Sequence, residues 1–287
     1  MTRSADISPL SILLSRVDAV SDGEQASDTV RSGFPSLDKI LGGGMRRGDL
    51  VVLGGDAGSG KSALALAIAI RASSADFRVA FLTAEMSVER VLERVLAIES
   101  RTRIDDLRQG GLDDVARANA GAVALQLRDR LPIVERLNAG GTAAGVGGLA
   151  ELLDALPPLD LVVLDTYAAL AQSRLPLEEE HAAVIMGLKA LALDRSVAIL
   201  TPASLPNLAE RADRRPTLDD FGALGSIKQC ADVVLGLFRQ DMYEPSRDIA
   251  GATELVVRKN RNGPTGYVDL YFYAQWMRFE DMLDPDR

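Results

Sequence analysis

Short apolar runs alternate with longer segments of helical apolar spacing from Gly48 onward. Apolar runs of this length, bounded by turn residues, predict buried strands, and the segments between them predict helices. This alternation is typical of βα units around a largely parallel sheet, so the sequence predicts an α/β fold. The predicted strands are Leu50 to Gly54, Val79 to Thr83, Ile133 to Glu135, Leu159 to Asp165, Val197 to Thr201 and Val233 to Phe238.

Two more strands are predicted near the C-terminus, at Thr253 to Lys259 and Tyr267 to Tyr273. The segment between them is rich in Asn and Gly and contains Pro, which are turn-forming residues. Strands joined by a short turn pair in the antiparallel sense. We therefore expect a β-hairpin that finishes the sheet.

Residues 1–30 are predicted to form a linker helix followed by a flexible linker, and residues 31–287 to form one main domain. The helix is indicated by Leu10, Leu13, Leu14 and Val17, which fall on one face. The polar stretch at residues 21–28 has linker composition. The apolar face requires a partner surface, either on the chain's own domain or on a neighbouring subunit, and the pattern leaves both open.

Composition limits the classes of function. The chain has 287 residues and a net charge of −9, which argues against indiscriminate binding to nucleic acid. It leaves room for a local basic channel. Positive charge is clustered in Arg211, Arg214 and Arg215 and again in Arg258, Lys259 and Arg261, although exposed loops with no partner would have the same composition.

No apolar run is long enough for a membrane span, and the first residues lack the apolar core of a signal peptide. We therefore expect a cytoplasmic protein with no membrane association. The single cysteine, Cys230, excludes an internal disulfide and a multi-cysteine metal site, so any metal should have oxygen ligands.

Residues 55 to 62, Gly-Asp-Ala-Gly-Ser-Gly-Lys-Ser, carry the strongest chemical signal. Glycines let backbone N–H groups turn toward an anion, and the N-terminus of the helix that follows attracts it. We therefore expect this loop to bind the phosphates of ATP. Lys61 would reach the β- and γ-phosphates, and the Ser62 hydroxyl would ligate Mg²⁺. The predicted binding residues are Gly55, Asp56, Ala57, Gly58, Ser59, Gly60, Lys61 and Ser62.

Two carboxylates follow predicted strands. Asp165 ends an apolar strand, where it would help to hold Mg²⁺; an aspartate there is also an ordinary helix N-cap. Glu85 follows the strand that ends at Thr83, where it would orient the attacking water or accept its proton. Its surroundings also fit an ordinary turn from strand to helix.

These residues resemble the ATPase domain of DnaB-type replicative DNA helicases, within the RecA superfamily, from about Ser32 to Phe279. The resemblance includes Ser-Gly-Phe-Pro-Ser-Leu-Asp at 32–38, the phosphate loop, Ala-Glu-Met-Ser at 84–87, Leu-Asp at 164–165, Gly-Ser-Ile-Lys-Gln-Cys-Ala-Asp at 225–232 and Arg-Lys-Asn-Arg-Asn-Gly-Pro-Thr-Gly at 258–266. It implies a RecA-like fold, a hexameric ring and single-stranded DNA in the channel. It also implies that Lys259 and Arg261 act on the γ-phosphate of a neighbouring subunit, Arg261 as the arginine finger.

The chain departs from the family pattern in three places. The N-terminal collar domain that recruits primase is expected to be missing. Pro202 follows Thr201 where the family has a glutamine that senses the γ-phosphate. Residues 222–226, Gly-Ala-Leu-Gly-Ser, replace a loop whose arginine touches DNA.

The phosphate loop is closer to the RadA and KaiC-like branches of the superfamily. Three functions therefore stay open. The first is a DnaB-type helicase or translocase that moves on single-stranded DNA, and the second is a RadA- or KaiC-like regulatory or recombination ATPase without unwinding. The third is a non-catalytic interaction module that binds ATP mainly to assemble, which the intact set of candidate catalytic residues disfavours.

Overall fold

The structure, a computed structural model, describes residues 8–24, 27–137, 145–172, 175–205 and 208–283. The α-helices are α1 (Pro9–Ser21), α2 (Pro35–Ile40), α3 (Lys61–Ser74), α4 (Val88–Ser100), α5 (Ile104–Gln109), α6 (Asp114–Leu127), α7 (Gly145–Ala155), α8 (Leu177–Arg195) and α9 (Ser226–Cys230). The strands are β1 (Thr29–Val30), β2 (Met45–Arg46), β3 (Leu50–Gly55), β4 (Val79–Thr83), β5 (Ile133–Arg136), β6 (Leu161–Asp165), β7 (Ala198–Ser204), β8 (Val233–Arg239), β9 (Ala252–Asn260), β10 (Gly266–Tyr273) and β11 (Arg278–Asp281).

One nine-stranded sheet forms the centre of the molecule, in the order β11-β10-β9-β8-β3-β7-β6-β4-β5. The strands from β8 to β5 in this order pair in parallel, and β9, β10 and β11 pair antiparallel. The predicted α/β fold is confirmed, as is the hairpin, which is formed by β9 and β10.

Hydrophobic cores cover both faces of this sheet. Val51 and Leu53 of β3 pack with α3 and α4 on one face, whereas Leu50 and Val52 pack with α7, α8 and α9 on the other. Strands buried on both faces have continuous apolar sequences, because successive side chains point to opposite sides. This burial explains why the central strands were predictable from their apolar runs.

Strand β7 extends beyond its predicted end at Thr201 and continues through Pro202 to Ser204. Its pairing with β6 stops at Leu200, opposite Val163, although its pairing with β3 continues. A proline cannot donate to a ladder, so it is tolerated beyond the point where strands flank β7 on both sides.

Beyond the end of the pairing between β6 and β7, the Thr201 side chain provides hydrogen bonds to β6 and to the turn that follows it. Its hydroxyl donates to Leu164 O at 2.8 Å and accepts from Tyr167 N at 2.9 Å, and the residue is fully buried. The hydroxyl therefore fixes the end of β6 and the turn that follows it.

Strand β11 lies outside the hairpin at the edge of the sheet, so the expectation that the hairpin finishes the sheet was wrong. Four residues are too few to give a clear period. The strand is held by tertiary contacts: Phe279 is fully buried and stacks on Phe272 with ring centroids 4.4 Å apart. Asp281 accepts hydrogen bonds from the backbone N–H and hydroxyl of Ser36 at 2.7 and 2.8 Å.

The predicted N-terminal helix is present as α1, and the residues on its apolar face remain exposed. Leu10, Leu13, Leu14 and Val17 are 70%, 52%, 62% and 51% exposed. Val30, in contrast, is fully buried in the core, and its strand β1 pairs with β2. The division of the chain at residue 30 stays a prediction. Among the described residues, no helix is both long enough and apolar enough to cross a bilayer.

We predict that Thr201→Val destabilises the protein by about 2 kcal/mol, because it leaves a buried N–H and a buried carbonyl without their partner. Urea unfolding would measure the change. Thr201→Ser keeps the hydroxyl and should cost less, about 1 kcal/mol for the lost methyl group. Equal or greater loss in the serine variant would show that the methyl group matters more than these hydrogen bonds.

Candidate nucleotide site

The phosphate-loop sequence forms a turn between the end of β3 at Gly55 and the start of α3 at Lys61. Gly58 and Gly60 have positive φ angles of 77° and 99°, in the left-handed region that favours glycine. A Cβ at Gly60 would lie 2.9 Å from the ring of Phe279, and one at Gly55 would lie 2.8 Å from Ser59 Oγ. Glycine is therefore required by the local backbone and by its packing.

Lys61 is buried and its amine turns back on the loop, where Nζ donates to Asp56 O at 2.7 Å. Burial lowers the pKa of Lys61, and the carboxylates of Asp56, Asp165 and Glu85 oppose that shift. The amine of Lys61 therefore lies near three carboxylates, and its hydrogen-bond partner among the described residues is one backbone carbonyl.

Ser62, in the first turn of α3, contacts Asp165, the last residue of β6. Ser62 Oγ donates to Asp165 Oδ1 at 2.9 Å, and Asp165 Oδ2 is buried with no hydrogen-bond partner among the described residues. Burial raises the pKa of Asp165, and the charge of Glu85 raises it further, against the hydrogen bond from Ser62 and the charges of Arg94 and Lys61. Hard oxygen atoms in this arrangement are the ligands that Mg²⁺ prefers, so these residues fit that ion.

Glu85 lies in the turn between β4 and α4 and is exposed. Strand β4 is the neighbour of β6, and Thr83 pairs with Asp165 in their parallel register. Ala84 N also donates to Asp165 O at 3.1 Å. The structure therefore brings Glu85, Asp165 and the phosphate loop to the same edge, at the carboxyl ends of parallel strands, where α/β sheets bind ligands.

Arg94 is a cation at this site that the motif analysis missed. It lies on α4; its Nε is buried without a hydrogen-bond partner among the described residues, and burial lowers its pKa while the charge of Asp165 raises it. Val91, Val95 and Ile98 are the buried residues around it on that helix face. The sequence feature that could have indicated Arg94 is a single arginine on an otherwise apolar helix face.

Tyr243 is a second residue that sequence reasoning missed. Its hydroxyl donates to Asp56 Oδ2 at 2.9 Å, and its ring stacks on Phe238 with centroids 6.0 Å apart. Burial and then the hydrogen bond to Asp56 raise the pKa of Tyr243 to about 12. The segment after β8 therefore contacts the phosphate loop, and nothing in the sequence predicts a contact between residues so far apart along the chain.

Lys259 and Arg261 lie at the opposite end of the sheet. Lys259 pairs with Val234 near the start of β8, and Arg261 N donates to Asp232 O just before it. Asp232 is in turn hydrogen-bonded to Leu50, the first residue of β3. Five residues of extended strand separate that level from Gly55, or about 16 Å at 3.3 Å per residue. These two cations therefore do not join the phosphate loop of their own chain.

The other basic cluster is paired with carboxylates. Arg211 contacts Asp220 at 2.8 Å, Arg214 contacts Glu244 at 3.5 Å, and Arg215 contacts Glu254 at 2.6 Å. The positive charge of this cluster is thus partly neutralised within the chain.

A family model for the DnaB-like helicase C terminal domain matches residues 29–281. The chain belongs to this family. The match contains every candidate site residue, from the phosphate loop to Arg261, and the resemblance inferred from the motifs is confirmed.

Two curated relatives of this DnaB-like domain are replicative DNA helicases DnaB. The protein of Leifsonia xyli is 29% identical over 95% of this chain and 60% of its own length. The protein of Geobacillus stearothermophilus is 28% identical over 91% of this chain and 58% of its own length. The chain thus spans about 60% of the relatives' length.

A solved structure supports the fold assignment. It is described as a DnaB-like replicative helicase and its interactions with primase, and it has a TM-score of 0.82 at 21% identity. The similarity covers 95% of this chain and 66% of that one.

We predict that Asp165→Asn stabilises the nucleotide-free DnaB-like domain near pH 8. Folding raises the pKa of Asp165. Its ionised form therefore opposes folding, and stability falls as the pH rises through that pKa. The gain should be on the order of 1 kcal/mol, roughly 2–4 °C in Tm, and should shrink as the pH is lowered and the wild-type carboxyl takes up its proton.

Thermal unfolding of the two proteins without nucleotide or metal would measure the difference. Asp154→Asn, at an exposed carboxylate paired with Arg195, is the control for removal of a surface charge. A lower Tm for Asp165→Asn across the whole pH range would contradict the prediction.

Proposed function

We propose that the chain is an ATP-dependent DNA helicase or translocase of DnaB type, acting in the cytoplasm. In this proposal it hydrolyses ATP at the subunit interfaces of a hexameric ring and moves on single-stranded DNA. The observation that carries the proposal is the division of the catalytic groups between two ends of one sheet. The phosphate loop, Asp165 and Glu85 share one end, and Lys259 and Arg261 lie at the other. Joining these two sets requires a second subunit.

The residues at the carboxyl end fit the hydrolysis of a bound triphosphate. Backbone amides of the phosphate loop and the amine of Lys61 would hold the phosphates. Ser62 and Asp165 would hold Mg²⁺, which when bound would neutralise charge on the phosphate oxygens. Glu85 would accept a proton from the water that attacks the γ-phosphorus, while the bond to the β-phosphate oxygen breaks and ADP leaves.

The cations at the other end fit a role in the neighbouring site. A guanidinium provides planar, bidentate contacts to phosphate, and its charge stabilises the transferring phosphoryl group. Arg261 would act as the arginine finger, and Lys259 would contribute a second positive charge. Hydrolysis would then depend on assembly.

The exposed apolar face of α1 also favours assembly. Four large apolar side chains on a single helix face remain half-exposed or more in the isolated chain. Burial of each such side chain gains about 1.5–3 kcal/mol, so a neighbouring subunit is a favourable partner.

The alternative, a RadA- or KaiC-like regulatory or recombination ATPase without unwinding, is favoured by the loop at residues 222–226. It contains no arginine, and the backbone N–H groups of Ala223 and Leu224 donate to Glu178 Oε2 at 2.6 and 3.4 Å. A loop occupied by an internal carboxylate, on a chain with a net charge of −9, is a poor binder of phosphates.

We predict that Lys61→Ala abolishes ATP hydrolysis and that Arg261→Ala lowers kcat by about 10³-fold. Mixing the two variants should restore activity, because a ring of both contains interfaces with one intact phosphate loop and one intact finger. Random mixing at equal amounts makes about a quarter of the interfaces intact. Phosphate release would measure turnover, and light scattering would verify that rings form.

Each variant assayed alone at the same total concentration is the control for this experiment. Full turnover in Lys61→Ala would refute the site. Absence of recovery in mixed rings would refute the action of Arg261 in trans.

We also predict that single-stranded DNA stimulates ATP hydrolysis and that the stimulation falls steeply between about 50 and 200 mM salt, because phosphate contacts release counterions. Rates with and without an unstructured oligonucleotide would test this. Unchanged rates at low salt would favour the regulatory ATPase.

A further inference from the structure

One edge of the Arg261 guanidinium is held by the buried carboxylate of Asp232. Arg261 Nε lies 2.9 Å from Asp232 Oδ1, and the Asp232 side chain is only 4% exposed. Arg261 Nη2 also donates to Gln229 O at 3.0 Å. We propose that Asp232 is a positioning residue that holds Arg261 in the orientation from which it reaches a phosphate on a neighbouring subunit. This inference rests on the proposed action of Arg261 in trans.

The two oxygens of Asp232 have different partners. Oδ2 accepts from Lys189 Nζ at 2.6 Å and from Leu50 N at 2.9 Å, whereas Oδ1 contacts Arg261. Lys189 donates to Gly48 O as well, at 2.8 Å. The carboxylate is therefore fixed to the first residue of β3 and to α8 by one oxygen, which leaves the other to orient the guanidinium.

The outer part of the guanidinium remains available. The Arg261 side chain is 49% exposed, and no hydrogen bond from its Nη1 is found among the described residues. A guanidinium carries five N–H donors in one plane, so fixing one edge leaves the other for bidentate contact with phosphate. Holding a long side chain in place before it binds also reduces the entropy that binding would otherwise lose.

Charge balance around Asp232 allows Arg261 to bind a phosphate while it is paired with this carboxylate. Removing the sole partner of a buried carboxylate leaves an uncompensated charge, which is strongly unfavourable. Here Lys189 lies 2.6 Å from Asp232, so its charge would still balance the carboxylate when Arg261 binds a phosphate. Arg261 can therefore serve both anions.

The test is Asp232→Asn in the full chain, assayed for ATP hydrolysis as rings. Loss of orientation should lower kcat by roughly 10- to 100-fold, as small misplacements of catalytic groups do. KM for ATP should change by less than about threefold, because the variant's own phosphate loop is intact. Mixing Asp232→Asn with Lys61→Ala subunits, whose fingers are intact, should restore activity as fully as the mixture of Arg261→Ala with Lys61→Ala.

Asp154→Asn, which disrupts an exposed aspartate–arginine pair, is the matched control and should retain wild-type turnover. Wild-type kcat in Asp232→Asn would overturn the proposal. Recovery in the Arg261→Ala mixture without recovery in the Asp232→Asn mixture would overturn the role of Asp232 alone. Failure of both mixtures would overturn the trans site and this inference with it.

A second variant keeps the test decisive if Asp232→Asn does not fold, as judged by circular dichroism. Lys189→Met leaves Arg261 as the remaining ion-pair partner of Asp232 among the described residues, so the guanidinium is bound more tightly and is less available. It should also lower kcat and should also recover in rings with Lys61→Ala. Unchanged kcat in this variant would refute the proposed charge balance.

Discussion

The hydrogen bond between Ser62 and Asp165 joins the first turn of α3 to the end of β6, and the rest of the candidate site is arranged around it. The strand that leads into α3 is β3, and it is not a neighbour of β6 in the sheet, because β7 lies between them. The contact exists because all three strands run parallel and end at one edge, with both faces buried. In that arrangement one oxygen of Asp165 is buried without a hydrogen-bond partner among the described residues, which is unfavourable, and a bound cation would offset it.

The same sheet separates the phosphate loop from the cations that resemble the family's trans residues. The antiparallel pairing of β9 with β8 returns the chain to the amino end of the parallel strands, so Lys259 and Arg261 emerge far from Gly55. One domain thus has half of the candidate catalytic residues at each end of its sheet. In a closed head-to-tail ring, the phosphate-loop end of each subunit faces the Arg261 end of the next subunit. A ring is therefore the simplest assembly in which every candidate site has both sets of residues.

Much of the fold and of the candidate site was predictable from particular segments. The central strands were predicted within a few residues, since burial on both faces leaves long apolar runs, and the phosphate loop was recognisable because its glycines are needed locally. The prediction for β7 ended one residue before Pro202, although the strand continues to Ser204. Proline is excluded from strands that have hydrogen-bonded neighbours on both sides, and β7 has only one such neighbour there. Strand β11 was missed because its aromatic packing and the Asp281 hydrogen bonds to Ser36 are long-range.

Residue types and their local spacing set the chemistry of each segment: which residues can turn around an anion, which strands are buried and which loops present cations. These properties depend on residue type and on neighbours a few positions away. Which segments meet depends on how the whole chain folds. Ser62 with Asp165, Tyr243 with Asp56 and Arg261 with Asp232 are pairs set by strand order and register. A sheet brings together strand ends regardless of their separation along the chain, and the local pattern of residues does not specify which strands become neighbours.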